Sequence, residues 1–162
     1  MLIYHGSDVV VKRPQILESE RLLDFGKGFY TTSNIEQATS WAEKVKDRRN
    51  SSAIYISVFE FDEVAAQREL KIIRFNNADS AWLSFVTANR TGSTPIKPYD
   101  IAWGPVANDQ VYAAVRLYET GWLNETETLA RLKIKRLYDQ ILFHTEVSLK
   151  YCVYREHKEL NV

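Results

Sequence analysis

His5 is followed directly by Gly6 and Ser7. An imidazole at a strand end offers two ring nitrogens to hydrogen-bonding partners, and a glycine beside it lets a ligand come close to the main chain. The same histidine could equally do no more than satisfy a local hydrogen bond. Further on, Phe25-Gly26-Lys27-Gly28-Phe29-Tyr30 brackets a lysine with two glycines and then presents two aromatics. That pattern suits a backbone bent around a planar ligand with a ring offered to it, or a hairpin-like turn whose aromatics enter the core. Gly104-Pro105-Val106-Ala107-Asn108-Asp109 reads as a turn into a helix, where Asn108 and Asp109 suit cap and dipole partners better than catalytic groups. Basic residues cluster at Lys44, Lys46, Arg48 and Arg49, and again at Arg131, Lys133, Lys135 and Arg136. With Glu43, Asp47, Glu125 and Glu127 interleaved nearby, they read as solvated helix faces rather than phosphate grips. No Walker A loop, GxGxxG fingerprint, GxSxG elbow or HExxH helix is present. His5, His144 and His157 form no close-spaced pair and Cys152 is the only cysteine, so no metal site is expected.

The elements that must position these residues are legible from periodicity. Residues 2–5 read as a short strand cut by Gly6-Ser7-Asp8, with Ile3 and His5 on one face and Leu2 and Tyr4 on the other. A helix is predicted from Ser33, with Ser33 and Glu36 as a capping box and Ile35, Ala38, Trp41, Ala42 and Val45 as its apolar stripe. The polar run 46–50 ends it. Residues 54–61 and 70–75 are predicted strands, and Asp79 or Ser80 is expected to cap a helix through 81–86. Residues 100–103 read as a strand stopped by Gly104-Pro105, and Asn108 as the cap of a helix bearing Val111, Ala114, Val115 and Tyr118 and ended by Gly121. A helix over 125–136 and strands over 140–144 and 148–154 close the chain. This order lacks a regular βαβ alternation, so the expected class is α+β.

A length of 162 residues fits one domain spanning residues 1–162. With 21 basic and 21 acidic side chains the net charge is zero, which removes any global pull toward nucleic acid or an anionic membrane. No apolar run is long enough to cross a bilayer, and the first residues lack a basic region followed by an apolar stretch. A single cysteine rules out an internal disulfide. The expectation is a cytoplasmic, non-membrane domain.

Taken together, Tyr4-His5-Gly6-Ser7, Phe25-Gly26-Lys27-Gly28-Phe29-Tyr30-Thr31-Thr32, and Leu137-Tyr138-Asp139-Gln140-Ile141-Leu142-Phe143 with Ser148-Leu149-Lys150-Tyr151 resemble the ADP-ribosyltransferase superfamily. The branch is the diphtheria-toxin and poly(ADP-ribose)-polymerase type. The whole chain is similar, more closely, to a bacterial family of stand-alone domains of uncharacterised function, in which the GPVAND turn also recurs. The resemblance implies split, mixed or antiparallel β-sheets with flanking helices around a cleft for NAD. It implies that His5 bonds the adenosine-side ribose, that the Gly6 backbone holds the nicotinamide carboxamide beside Ser7, and that Tyr30 stacks on the nicotinamide. Phe25, Gly28, Asn108 and Asp109 would belong to the same NAD-binding surface. Trp41 stands about where a second stacking aromatic is found, though it fits the apolar stripe of its helix equally well. The implied reaction cleaves the nicotinamide–ribose bond through an oxocarbenium-like transition state and transfers ADP-ribose to a protein or nucleic-acid acceptor, without a metal. A toxin role, with an antitoxin as partner, is implied by analogy. This chain has Gln140 where the polymerases have glutamate. An amide can orient the ribose but carries no charge and is no general base. Asp139 does not replace it, since neighbours on a strand point to opposite faces, and Asp109 or Glu146 would serve only if the fold brings either near. Single transfer is therefore expected before polymer growth, with NAD hydrolysis, or a catalytically silent module binding NAD, ADP-ribose or a protein, as alternatives.

Overall fold

The structure, a computed structural model, describes residues 1–16, 23–93, 98–106, 109–133 and 137–160, without the side chains of Asp109 and Gln110. It is an α+β fold with two sheets. In the first sheet β1 (Leu2–Ser7) and β7 (Cys152–Leu160) flank β3 (Ile54–Phe61), all antiparallel. In the second the order is β2 (Phe29–Thr31), β6 (Asp139–Phe143), β5 (Ile101–Pro105) and β4 (Ile72–Arg74), antiparallel except for the β4–β5 pair.

Side-chain alternation sorts these strands into layers. Ile54 and Ile56 of β3 turn outward and pack against Ala38 and Ala42 of helix α1 (Ile35–Arg49). Ile3, Phe59 and Phe61 turn inward and meet Phe29, Ile101, Ile141 and Phe143 of the second sheet. The far face of that sheet, with Ala102 and Leu142, carries Trp82, Leu83 and Val86 of α3 (Ser80–Arg90), Val111 and Val115 of α4 (Asp109–Glu119) and Leu132 of α5 (Glu125–Leu132). No helix among the described residues is long and apolar enough to cross a membrane.

Several boundaries differ from expectation for local reasons. β1 does not stop at Gly6: Gly6 and Ser7 pair with Ile56 and Tyr55. Asn34, not Ser33, caps α1, its side chain accepting from the Gln37 N–H at 2.9 Å. Ser33 instead donates its N–H and hydroxyl to Asp139, and Glu36 accepts from the Tyr138 hydroxyl. A short helix, α2 (Glu63–Glu69), capped by Asp62, follows β3 without having been predicted. The strand over 70–75 shrinks to three residues, and the one stopped by Gly104 runs on to Pro105. Residues Ser148–Tyr151 form a 3-10 helix, because the buried Ser148 hydroxyl donates back to the Thr145 carbonyl at 2.7 Å and curls the chain before β7 begins. Asn108 and residues 134–136 lie outside the described residues.

Candidate functional site

Along the edges of β1 and β2, among the described residues, the two sheets form one backbone-to-backbone bridge. Tyr4 and Thr32 exchange backbone hydrogen bonds of 2.8 and 3.0 Å and form an isolated antiparallel bridge. Continuing that register would pair Gly6 with Tyr30, but no such bridge forms. His5 stands in its place. Its Nδ1 donates to the Tyr30 carbonyl at 2.7 Å, and its ring lies 4.6 Å from that of Phe29. A carbonyl only accepts, so the proton sits on Nδ1 and leaves Nε2 as an acceptor. Desolvation pulls the His5 pKa below its ordinary value against the opposing effect of the Tyr30 carbonyl, so the ring is neutral near pH 7. Strand parity adds a second feature. Met1 bonds Phe61 on β3 and Tyr4 bonds Thr32, so odd residues of β1 bond β3 and even ones turn their peptide groups toward β2. The Gly6 N–H and C=O therefore face the gap that His5 holds open. Gly6 is also required by packing. A Cβ there would overlap the Ala38 carbonyl and lie 3.0 Å from the Ala42 nitrogen, so α1 rests on this strand backbone to backbone.

The glycine-bracketed turn is held from three sides. The Phe25 carbonyl accepts from the Tyr99 hydroxyl at 2.6 Å, the Gly26 carbonyl from the Tyr30 hydroxyl at 2.6 Å, and the Lys27 carbonyl from His144 Nδ1 at 2.7 Å. Tyr99 stacks on His144 with ring centroids 4.6 Å apart. Burial pushes the Tyr99 phenol up to about 12 and raises that of Tyr30 well above its ordinary value, the nearby charge of Asp24 adding to the latter. Both phenols stay neutral donors. Gly28, at φ +148, leaves no room for a Cβ against the Phe143 carbonyl and the Leu142 side chain. Nothing in the local sequence around Tyr99 or His144 pointed to this clamp, because both reach the turn only through the fold.

A cleft of about 590 Å³ opens at this seam, and His5, Gly28, Phe29 and Tyr30 line it. Among the expected site residues, His5, Gly28 and Tyr30 are thus brought together and Gly6 adjoins them. Trp41 is half-buried on the turn of α1 that lies over Gly6. Ser7 is buried, its hydroxyl 3.3 Å from Asp8. Phe25 is wholly buried in the core beneath α3 and does not line the cleft. Tyr30 pairs with Leu142, so Gln140, two residues along β6, lies diagonally from Tyr30 on the same face of the sheet. It is only 3% exposed, its amide turned toward the Pro105 carbonyl at 3.5 Å, and it does not line the cleft. Asp139 points to the other face, as strand alternation requires. Its carboxylate accepts from Thr32, Ser33 and Trp103, so it is committed to joining β6 to β5 and to the entrance of α1. Glu146 is exposed in the loop after β6 and does not line the cleft, whereas Asn108 and the Asp109 side chain lie outside what is described. No group of three metal-ligating side chains occurs among the described residues. A second cavity of about 380 Å³ contains Arg74, Trp103 and Asp139. Arg74 is already paired with Glu63 and stacked on Trp103, and Asp139 is hydrogen-bonded, so the described residues leave that cavity no free charged group.

Residues 1–154 match a family described as protein of unknown function (DUF3990), and the chain belongs to that family. No curated protein and no solved structure matches it.

Proposed function

We propose that this chain binds NAD in the His5–Tyr30 cleft and transfers its ADP-ribose to a macromolecular acceptor, protein or nucleic acid. The observation that carries the reading is the hydrogen bond from His5 to the Tyr30 carbonyl, which holds the sheets apart and joins two distant sequence blocks at one cleft. The fold would then be of the ADP-ribosyltransferase type, with the NAD site at the split between its sheets. His5 Nε2, kept unprotonated, accepts from a ribose hydroxyl. The Gly6 peptide offers one donor and one acceptor, which match a carboxamide. Tyr30 contributes its ring rather than a proton, since its hydroxyl is committed to Gly26 and its pKa is raised. In the reaction the nicotinamide–ribose bond breaks and its electron pair leaves with nicotinamide. The acceptor's lone pair closes on the ribose carbon, and its proton passes to solvent. Protein groups that clamp the two ends of the dinucleotide spend binding energy on the reacting centre. By family analogy the setting is a cytoplasmic toxin with an antitoxin partner.

Burial of Gln140 away from the cleft favours a second reading, a module that binds NAD or ADP-ribose without reacting. Incubation with NAD labelled in the adenylate half separates them. Label retained on macromolecule with nicotinamide released supports transfer, free ADP-ribose supports hydrolysis, and binding without nicotinamide release supports the silent module. Loss of activity in His5→Ala and Tyr30→Ala is expected; activity left intact in both variants would refute the site.

A further inference from the structure

The segment after β1 adds something to the cleft that neither the resemblance nor the family match assigns. Lys12 and Arg13 line the same cavity as His5 and Tyr30, and among the described residues no carboxylate lines it. Neither cation has an acidic partner among the described residues. The strap that carries them is fixed in place. The Val11 N–H donates to the Ser57 hydroxyl at 2.9 Å, Ser57 is fully buried on β3, and the Val11 side chain packs onto the core between the sheets. Pro14 then restricts the backbone just past Arg13. The rest of the described lining is apolar or neutral, with Val10, Val11 and Phe29 contributing hydrocarbon. His5 and Tyr30 are uncharged for the reasons given above, so among the described lining residues only the strap carries charge.

We propose that Lys12 and Arg13 bind the diphosphate of the dinucleotide, which places its phosphates at the strap edge of the cleft. The inference rests on the NAD reading and extends it. A dinucleotide diphosphate carries two negative charges, and two cations facing an otherwise neutral, partly apolar cleft match them in number. Arginine grips two phosphate oxygens with a planar fork, and lysine adds a point charge.

The test is calorimetric titration of the full chain with NAD and with ADP-ribose. It compares wild type, the double variant Lys12→Gln/Arg13→Gln, and the charge-conserving Lys12→Arg/Arg13→Lys, each checked by circular dichroism for an unchanged melt. Losing two charge-assisted contacts is expected to weaken both ligands by about tenfold or more, with most of the affinity kept in the charge-conserving variant. Wild-type affinity should also fall more steeply with added salt than that of the glutamine pair. Equal affinity and equal salt dependence in wild type and glutamine variant would overturn the inference while leaving the NAD reading standing. A wild-type chain that binds neither ligand would overturn both.

Discussion

Tyr99→Phe removes one oxygen from the clamp and nothing else. The hydroxyl donates at 2.6 Å to the Phe25 carbonyl, in a residue that is wholly buried, while Tyr99 itself is 4% exposed. Phenylalanine keeps the stack on His144 and the edge contact with Phe85, so no cavity term arises. The loss is a stranded buried carbonyl, about 2 kcal/mol. For a domain of this size that lowers Tm by about 4–8 °C. The pH dependence carries the same signature. The Tyr99 phenol is raised to about 12 in the fold against an ordinary value of 10.0, so above pH 10 the unfolded chain gives up this proton first. Stability from this group is complete below pH 10 and is lost as pH rises toward 12. Thermal melts by circular dichroism at neutral and alkaline pH are the assay, with Tyr55→Phe, whose hydroxyl makes only a 3.5 Å exposed contact to Glu159, as control. The variant should melt lower than both wild type and control at neutral pH and lose less than wild type on going alkaline. A melt that coincides with the control at neutral pH would refute the clamp.

Because desolvation lowers the His5 pKa, the unfolded chain takes up the proton first as pH falls through the ordinary histidine range, and stability declines there. His5→Gln should flatten the urea midpoint between neutral and mildly acidic pH, and an unchanged profile would contradict the neutral ring. Asp139→Asn turns an amide N–H₂ toward Trp103 Nε1, where the carboxylate accepts at 2.8 Å, and should cost about 2 kcal/mol in urea unfolding. A change below about 0.5 kcal/mol, the range of ordinary surface substitutions, would show that the carboxylate is not holding β5. Gly6→Ala forces α1 off β1 and should cost about 3 kcal/mol, read as a lowered urea midpoint. A midpoint equal to wild type would mean that helix and strand are not in backbone contact.

Strands with one sustained pattern, such as 54–61, and the class α+β were readable because alternation and β-branching act locally. The cap of α1 was misplaced by one residue because Ser33 is recruited by Asp139, across a sequence separation that no local motif reports. Gly6 carries a packing demand from Ala38 and Ala42 besides any role toward a ligand, and a single glycine in the sequence cannot disclose the first of these. The apolar run at Ser148 looked like a strand, but one hydroxyl turning back on Thr145 made it a 3-10 helix. At the cleft, the motifs single out His5 and Tyr30 as candidates, whereas Tyr99, His144 and the Lys12–Arg13 strap reach the same place only through tertiary pairing.

The most direct measurement is a crystal structure of the chain soaked or grown with NAD. A dinucleotide is expected in the seam between β1 and β2, its carboxamide on the Gly6 peptide, the nicotinamide against Tyr30 and a ribose hydroxyl on His5 Nε2. NAD seated elsewhere, or a seam closed by a Gly6–Tyr30 bridge with the imidazole turned out, would contradict this placement.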